Sequence, residues 1–327
     1  MRRREFITIV GGTAATWPLA ARAQQPSVPV IGFLSTESPD RFAPWVEGFR
    51  QGLKSAGYAE GENVAIEYRW AEGHYDRLPA LAADLVRRQV TVIAATDGLP
   101  SVMAAKAATG TLPIVFLTAA DPIAFGLVAS LNRPGGNITG VVTLNAEVGP
   151  KRLELLHEAI PTATAIALVV NPTNRVSEGL VRDAHAASRS LGLRLHVLNA
   201  SSESDFDTVF STLIQLQAGA LAIGADPFFN GRSAQLAVMA LRHAVPSIYQ
   251  YREFATAGGL MSYGTDIHHA SRQVGVLTAR ILKGDKPADL PVQQLTKVEL
   301  IINLKTAQAL GLTLPLPLLG RADEVIE

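Results

Sequence analysis

The sequence contains no cysteine among its 327 residues. This excludes disulfide bonds, thiolate metal sites, a cysteine nucleophile and a lipid-modified cysteine anchor. Aromatic residues are also scarce, at 6% of the chain, whereas apolar residues make up 48%. This composition suits close-packed α/β layers better than an all-β sandwich.

An excess of charge of either sign is missing as well. The sequence has 29 basic and 29 acidic residues, so its formal net charge is zero. A general binder of nucleic acid or anionic membranes would carry a marked excess of Lys and Arg. No segment reaches the ~20 consecutive apolar residues that a membrane-spanning helix needs.

The common motifs of nucleotide- and metal-dependent enzymes are absent. The sequence has no P-loop, no G-x-G-x-x-G after a predicted strand, no H-E-x-x-H and no G-x-S-x-G. The glycine-rich segment Pro134–Asn137 precedes a strand rather than a helix, so we interpret it as a turn. His268 and His269 are adjacent and would lie on different faces of a helix. We therefore predict no catalytic residue, no cofactor and no metal.

The first 23 residues have the features of an export signal. Three arginines at positions 2–4 precede a mildly apolar stretch at 6–20, and Ala21–Ala23 provides the small residues that a signal peptidase accepts. Arg3–Ile7 is similar to a twin-arginine signal, and the weak hydrophobicity favours that route. The general secretory route stays open. We expect cleavage after this segment and a soluble protein in the periplasm.

From Val28 onward, short β-type runs alternate with amphipathic helical segments. Strands are predicted at 28–34, 64–70, 90–95, 114–117, 138–143, 165–170, 193–198, 220–223, 247–249, 259–263 and 298–302. Strands that alternate with helices of about 10–17 residues indicate parallel sheets with right-handed crossovers. A short helix is also predicted at Pro122–Leu131.

Two successive sets of these units predict an α/β fold of two doubly wound parallel-sheet lobes joined by crossing strands. Lobe 1 is predicted at 27–143, completed by about 264–292. Lobe 2 is predicted at 144–263, with part of the 293–327 tail. A turn-rich break at Arg133–Asn137 precedes the first hinge, which we expect near Val142–Val148.

A ligand site is predicted where the two lobes face each other, because ligands of open parallel sheets bind beyond the carboxyl ends of the strands. Short hydroxyls, amides and carboxylates follow the predicted strands. The ligand-binding candidates of lobe 1 are Ser35, Thr36, Thr96, Asp97, Thr118 and Asp121. Those of lobe 2 are Asn171, Asn174, Asp226, Phe228 and Tyr251. Capping of the following helix remains the alternative role for several of them.

Aromatic side chains are expected to form the apolar walls of this cleft. Phe228 follows Asp226 and Pro227 in a predicted loop, and we expect it to cover the apolar body of a ligand. Packing in a hydrophobic core is the alternative. Trp45 lies on a helical apolar stripe and is predicted to belong to the core.

Several short segments together are typical of one protein family. They are Ile31–Phe33, Gly48–Leu53, Gly57–Tyr58, Pro113–Phe116, Asp121–Gly140, Asn171–Pro172, Gly258–Gly264 and Leu282–Gly284. With these segments the chain resembles substrate-binding components of ABC transporters with the type I periplasmic-binding-protein fold, in particular the branch with tryptophan- and tyrosine-binding proteins. Asp121–Gly140 is the most specific of them.

The resemblance implies a ligand held between two lobes and delivered to ABC permease subunits in the membrane. The expected partners are therefore a small molecule and a permease, without nucleic acid, and the expected state is a monomer. The ligand is not fixed by the resemblance. Aromatic and amino-acid-like molecules, sugars and nucleobases all remain open.

Three other functions are compatible with parts of the sequence. An exported two-domain enzyme could use Asp97, Asp121 and Asp226 as carboxylates in the cleft. A ligand sensor for a membrane receptor would have the same features as a transport protein. A lactose-repressor-type regulator would need an N-terminal DNA-binding module of ~50–60 residues. The first predicted strand begins at Val28, which leaves no room for that module.

Overall fold

A computed structural model describes residues 28–327 of the chain. The export signal predicted at 1–23 lies outside the described residues. Within 28–327, every helix is too short or too polar to cross a membrane.

The described chain alternates strands and helices almost throughout. The strands are β1 (Val30–Ser35), β2 (Ala65–Trp70), β3 (Val92–Ala95), β4 (Ile114–Thr118), β5 (Ile138–Thr143), β6 (Ala165–Val170), β7 (Arg194–Asn199), β8 (Ala220–Ile223), β9 (Ser247–Tyr249), β10 (Met261–Gly264), β11 (Gln293–Leu295), β12 (Glu299–Asn303) and β13 (Glu324–Ile326). The helices are α1 (Pro39–Ser55), α2 (Leu78–Arg87), α3 (Gly98–Ala108), α4 (Gly149–Ala159), α5 (Val176–Ser190), α6 (Asp205–Gln215), α7 (Pro227–Asn230), α8 (Ser233–Arg242), α9 (Arg252–Thr256), α10 (Ile267–Leu282), α11 (Leu304–Ala309) and α12 (Leu316–Leu319). Short 3-10 helices lie at Tyr75–Arg77 and Pro287–Asp289.

These strands form two sheets, one in each lobe. Lobe 1 has six strands in the order β11-β5-β4-β3-β1-β2, all parallel. Lobe 2 has seven strands in the order β13-β12-β10-β9-β8-β6-β7. In lobe 2 the β10–β12 pair is antiparallel, and the other pairs are parallel. The predicted α/β fold of two parallel-sheet lobes is confirmed.

Both faces of each sheet are covered, which explains the nearly continuous apolar strands. In β3, Val92 and Ala94 pack with residues of α1 and α10, whereas Ile93 and Ala95 pack with α2 and α3 on the opposite face. This alternation follows the two-residue period of a strand. Helices therefore enclose the sheet and leave its strand ends free to form a site.

The chain crosses between the lobes three times, at 144–148, 265–266 and 296–298. After the second crossing, α10 packs closely along α1 in lobe 1. Gly52 and Gly275 make this approach possible, since a Cβ at either position would collide with backbone of the facing helix. The first and third crossings follow β5 and β11 of lobe 1, and the second and third adjoin β10 and β12 of lobe 2. The hinge therefore lies at one side of the cleft.

Two local predictions differ from the structure. Pro122–Leu131 forms turns instead of a helix. Asp121 accepts hydrogen bonds from the backbone of Ile123 and Ala124, and Gly126 has a φ of 66°, which ends any helical path. Phe228 lies in the short helix α7 rather than in an exposed loop. Asp226 caps that helix by accepting from the Phe228 N–H, and this turns the ring into the core.

Candidate functional site

A cavity lies between the two lobes, at the carboxyl ends of their strands. It contains about 690 Å³ of space, part of which is open to solvent. Lobe 1 lines it with Phe33, Phe42, Trp45, Phe49, Thr96, Asp97, Gly98, Leu99, Leu117, Thr118, Ala119, Ala120, Thr143, Ile267 and Ser271. Lobe 2 contributes Asn174, Val176, Ala225, Asp226, Pro227, Asn230, Gln250 and Tyr251.

Asp97 is a carboxylate with one oxygen left for a ligand. It follows β3 and is only 4% exposed. Its Oδ2 accepts hydrogen bonds from Ser35 Oγ at 3.1 Å, from the Thr36 N–H at 3.1 Å and from Thr36 Oγ1. Its Oδ1 has no hydrogen bond to any other residue within 28–327. Ser35 and Thr36 thus fix the orientation of the Asp97 carboxylate through Oδ2.

Burial makes the negative charge of Asp97 costly. It raises the pKa of this carboxyl to about 8, against the lowering effect of the hydrogen bonds from Thr36 and Ser35. The nearby carboxyl of Glu37 raises the pKa further. A cationic or hydrogen-bond-donating ligand group at Oδ1 would offset this cost.

Other buried polar atoms around the cavity lack partners in the described part of the chain. They are Thr96 Oγ1, Thr143 Oγ1, Gln250 Oε1 and Trp45 Nε1. Thr118 differs, since its Oγ1 accepts from the Ala120 N–H at 3.0 Å. A buried polar group without a hydrogen bond costs about 1–3 kcal/mol. A ligand that supplied the missing partners would therefore be bound favourably.

Aromatic side chains form one wall of the cavity. Phe33 of β1 packs edge-on against Phe49 of α1, with ring centroids 5.3 Å apart. Trp45 and Phe42 lie about one and two turns before Phe49 on α1. Their rings are in edge contact, with centroids 3.9 Å apart. This wall can accommodate a flat apolar group, and Asp97 lines the same cavity.

Asp226 connects the lobes and has its hydrogen-bonding capacity filled. Its Oδ1 accepts from Tyr75 Oη of lobe 1 at 2.8 Å and from Asn171 Nδ2 at 3.1 Å. The Phe228 N–H also donates to Oδ1, at 2.9 Å, and Asn174 Nδ2 donates to Oδ2 at 2.7 Å. Burial raises the pKa of Asp226, and the hydrogen bonds from Asn174, Tyr75 and Asn171 oppose that rise.

A buried ion pair joins the lobes beside Asp226. Arg232 Nη1 lies 2.7 Å from Glu37 Oε1, with the two side chains 5% and 0% exposed. Arg232 Nε also contacts Glu203, which in turn pairs with Arg41 of lobe 1 at 2.7 Å. Burial raises the pKa of Glu37 to about 7, although the charge of Arg232 lowers it.

These interlobe contacts lie on the side of the cleft away from the hinge. Glu37 and Tyr75 follow β1 and β2 at one edge of the lobe 1 sheet, whereas the crossing segments follow β5 and β11 at the other. In lobe 2, Asp226 follows β8, on the side of β10 that lies away from β12. The cavity is therefore enclosed between the hinge on one side and the contacts of Glu37 and Tyr75 on the other.

The hinge contains a buried arginine. Both terminal nitrogens of Arg152 donate to the carbonyl of Asn145 in the first crossing. The Asn145 side chain accepts from the Thr265 N–H of the second crossing at 2.8 Å. Within residues 28–327 no carboxylate pairs with Arg152, and burial lowers its pKa to about 10. Arg152 and Asn145 thus connect two crossing segments.

The predicted ligand-binding residues occupy four kinds of position, of which Phe228 alone represents the last. Six line the cavity: Thr96, Asp97, Thr118, Asn174, Asp226 and Tyr251. Ser35, Thr36 and Asn171 lie behind them and bind the two carboxylates. Asp121 is exposed outside the cavity and caps a turn.

Phe228 does not line the cavity, which differs from our expectation that it covers a ligand. It is 2% exposed and packs against Phe206 and Phe229. The Arg232 guanidinium lies 4.0 Å from its ring centroid. Trp45 belongs to the buried core, as predicted, but it also lines the cavity. Thr143 and Ser271 line the cavity as well, although neither was among the predicted ligand-binding residues. Within 28–327, no group of His, Asp or Glu is arranged to hold a metal ion.

Comparison with known proteins places these features in a family. A family model described as ABC transporter substrate binding protein matches residues 27–326. A tyrosine-binding protein of Clostridioides difficile (strain R20291) is 27% identical over 266 residues, which cover 81% of this chain and 76% of that protein.

Solved structures are similar over nearly the whole described chain. An ABC domain from Streptococcus pneumonia in complex with L-Trp has a TM-score of 0.82 and 26% identity, covering 92% of this chain and 100% of that one. A conserved domain protein from Vibrio cholerae O1 biovar eltor has a TM-score of 0.83 and 25% identity, with 91% and 99% covered.

Proposed function

Because the chain belongs to the ABC transporter substrate-binding protein family, we propose that it captures a small molecule in the interlobe cavity and delivers it to an ABC importer. The export signal predicted at 1–23 supports a periplasmic location. In this role the protein acts as a monomer, by binding and release rather than by chemical turnover. Two lobes joined by a hinge suit such a cycle, since a ligand that contacts both lobes favours closure.

The ligand that best fits the cavity is an aromatic amino acid or a close analogue. Asp97 Oδ1 is placed to accept hydrogen bonds from an ammonium group. Beside it, the N-terminus of α3 has no side-chain cap, and the unpaired Thr96 hydroxyl lies next to it, so both can bind a carboxylate. The aromatic wall of Phe33, Phe42 and Phe49 suits a flat ring.

The charges around the cavity favour an amine over a simple acid. Among residues 28–327, no Lys, Arg or His lines the cavity, whereas Asp97 and Asp226 both do. An aromatic carboxylate without an amine would leave the buried charge of Asp97 without a cationic partner. The relatives described as tyrosine-binding and as bound to L-Trp support the same class of ligand.

The single observation that carries this proposal is the half-bonded carboxylate of Asp97. Calorimetric titration of the protein from residue 24 onward tests it, with L-tyrosine, L-tryptophan and their deaminated analogues. We expect the amino acids to bind at least about 100-fold more tightly than the analogues. Asp97→Asn should weaken amino-acid binding about tenfold or more, or by about 1.4 kcal/mol. The matched control Asp121→Asn, an exposed carboxyl outside the cavity, should have no effect. Equal affinity for the deaminated analogues would contradict the proposal.

Delivery to an importer requires a test in cells. Uptake of the labelled ligand should be lost when this gene is deleted, and restored by the wild-type protein but not by Asp97→Asn. Uptake that continues unchanged without the protein would favour a sensory role for the same binding site.

A further inference from the structure

The apolar end of the cavity carries a hydrogen-bond donor without a partner. Trp45 lies on α1, lines the cavity and is 6% exposed. Its indole N–H has no hydrogen-bond acceptor among residues 28–327. The neighbours that line the same wall, Phe33, Phe42 and Phe49, offer no acceptor in their side chains.

A second polar group lies across the α1–α10 contact from Trp45. Ser271 of α10 lines the cavity and is 3% exposed. Its Oγ makes no hydrogen bond to another residue of the described chain. The two helices approach closely here, since a Cβ added to Gly48 would lie 3.3 Å from the Ser271 Cβ. Gly48 stands three residues after Trp45, so both lie on the same face of α1.

The arrangement places one fixed donor and one hydroxyl in otherwise apolar surroundings. An indole N–H can only donate, whereas a serine hydroxyl can donate or accept. Ile267 on α10 and Phe49 on α1 line the cavity nearby and supply no partner for either group. A ligand oxygen that bears a hydrogen satisfies both, because it accepts from the indole and donates to the serine.

We propose that Trp45 and Ser271 are specificity-determining residues that bind a hydroxyl on the ring of the ligand. The site then selects a hydroxylated aromatic amino acid over the same molecule without the hydroxyl. This inference rests on the proposed function, since it assumes that Asp97 holds the amine end of the ligand.

The expected selectivity is large. A site built to hydrogen-bond a substrate hydroxyl rejects an analogue that lacks it far more strongly than an apolar pocket rejects a missing methylene. The reason is that the buried groups of the protein are then left unpaired. We expect L-tyrosine to bind at least about 100-fold more tightly than L-phenylalanine.

Calorimetric titration of the wild-type protein, Trp45→Phe and Ser271→Ala with both amino acids tests the inference. Each substitution should lower the tyrosine-to-phenylalanine affinity ratio about tenfold or more, because it removes a partner of the ligand hydroxyl that only tyrosine carries. Phe42→Leu is the matched control, since it alters the same wall without touching a polar atom. It should weaken both ligands equally and preserve the ratio.

The outcomes separate this inference from the proposed function. Equal affinities of the wild-type protein for the two amino acids, or a ratio that both variants leave unchanged, would overturn the roles of Trp45 and Ser271. The proposed function would survive that result if Asp97→Asn still weakened the binding of both amino acids about tenfold or more. If neither amino acid bound the wild-type protein, both the proposed ligand class and this inference would fail. Because the ratio compares two ligands on one folded variant, a loss of stability does not affect it.

Discussion

Replacing Asp97 by asparagine should stabilise the unliganded protein at high pH while it weakens ligand binding. The folded-state pKa of Asp97 is raised to about 8, whereas an aspartate in an unfolded chain titrates near 3.9. Between these two values the folded protein keeps a proton that the unfolded chain releases. Stability therefore falls as the pH rises from about 4 to about 8. Asparagine mimics the protonated side chain, because its oxygen can accept from Ser35 and Thr36 while its amide faces the cavity.

The pKa shift sets an upper limit on the stability that Asp97→Asn gains, and opening of the cleft reduces the gain below that limit. A shift of about four pKa units, at about 1.4 kcal/mol for each unit, sets a limit near 6 kcal/mol. Opening of the cleft admits water to Asp97 and relieves part of the penalty without unfolding. We therefore expect Asp97→Asn to gain about 1–3 kcal/mol at pH 8.5, or roughly 2–6 °C in the melting temperature.

Thermal and denaturant unfolding at pH 5 and pH 8.5 measure this effect. At pH 5 the folded carboxyl is protonated and only the unfolded one has begun to ionise, so Asp97→Asn should show only a small part of its gain in stability. At pH 8.5 the variant should be more stable. The exposed carboxyl variant Asp121→Asn controls for a general change in charge. The interpretation would be refuted if the stability difference between the two proteins were the same at both pH values, or if the variant were less stable at pH 8.5. Either result would show that burial does not disfavour the ionised form of Asp97.

Three further predictions concern the core, the interlobe contacts and export. Phe228→Ala should lower the stability to denaturant by about 3–5 kcal/mol, because the ring is buried in lobe 2, and the protein that remains folded should bind ligand normally. A marked loss of affinity with unchanged stability would instead make Phe228 a ligand contact. Tyr75→Phe removes two hydrogen bonds between the lobes, one to Asp226 and one from the Phe228 N–H, and should raise the radius of gyration of the unliganded protein in small-angle scattering. Tyr58→Phe, in which the changed hydroxyl makes no interlobe bond, should leave the radius unchanged. An unchanged radius for Tyr75→Phe would show that these bonds do not hold the cleft closed. Changing Arg3 and Arg4 together to Lys should block export if the twin-arginine route is used, and intact-mass measurement of the wild-type exported protein should give a chain that begins at Gln24. Normal export of the double variant would indicate the general secretory route.

The fold could be predicted from the sequence because its physical signals are local and redundant. The β3 run Val92–Ala95 is apolar on both faces, which is typical of a strand covered on both sides. The amphipathic segment that forms α1 supplies the covering layer. The prediction failed at Pro122–Leu131, where apolar spacing suggested a helix but Gly126 requires a positive φ. A backbone conformation of this kind leaves little trace in apolar periodicity.

The site could be predicted only in part. The position of ligands beyond strand ends led to Thr96, Asp97 and Thr118, and the structure places all three at the cavity. Trp45 and Ser271 could not be found in this way, because they lie within helices. An apolar stripe on a helix looks the same whether it packs against a sheet or lines a cavity. The difference depends on how closely α1, α10 and the opposite lobe approach, and that is a property of tertiary structure.

The two central carboxylates show why residue type alone could not assign roles. Asp97 and Asp226 both follow a parallel strand and both precede a helix. From the sequence alone, both are therefore equally good candidates for a ligand-binding residue. In the structure, Asp226 receives four hydrogen bonds, from Tyr75, Asn171, Asn174 and the Phe228 backbone. A carboxylate with donors on both oxygens gains little from a ligand. One of the donors to Asp226, the Tyr75 hydroxyl, comes from the other lobe. Asp97 receives all its hydrogen bonds on one oxygen and from its own lobe, so its second oxygen remains for the ligand. We therefore expect substitution of Asp226 to alter the opening of the cleft first and affinity only as a consequence, and substitution of Asp97 to alter affinity directly.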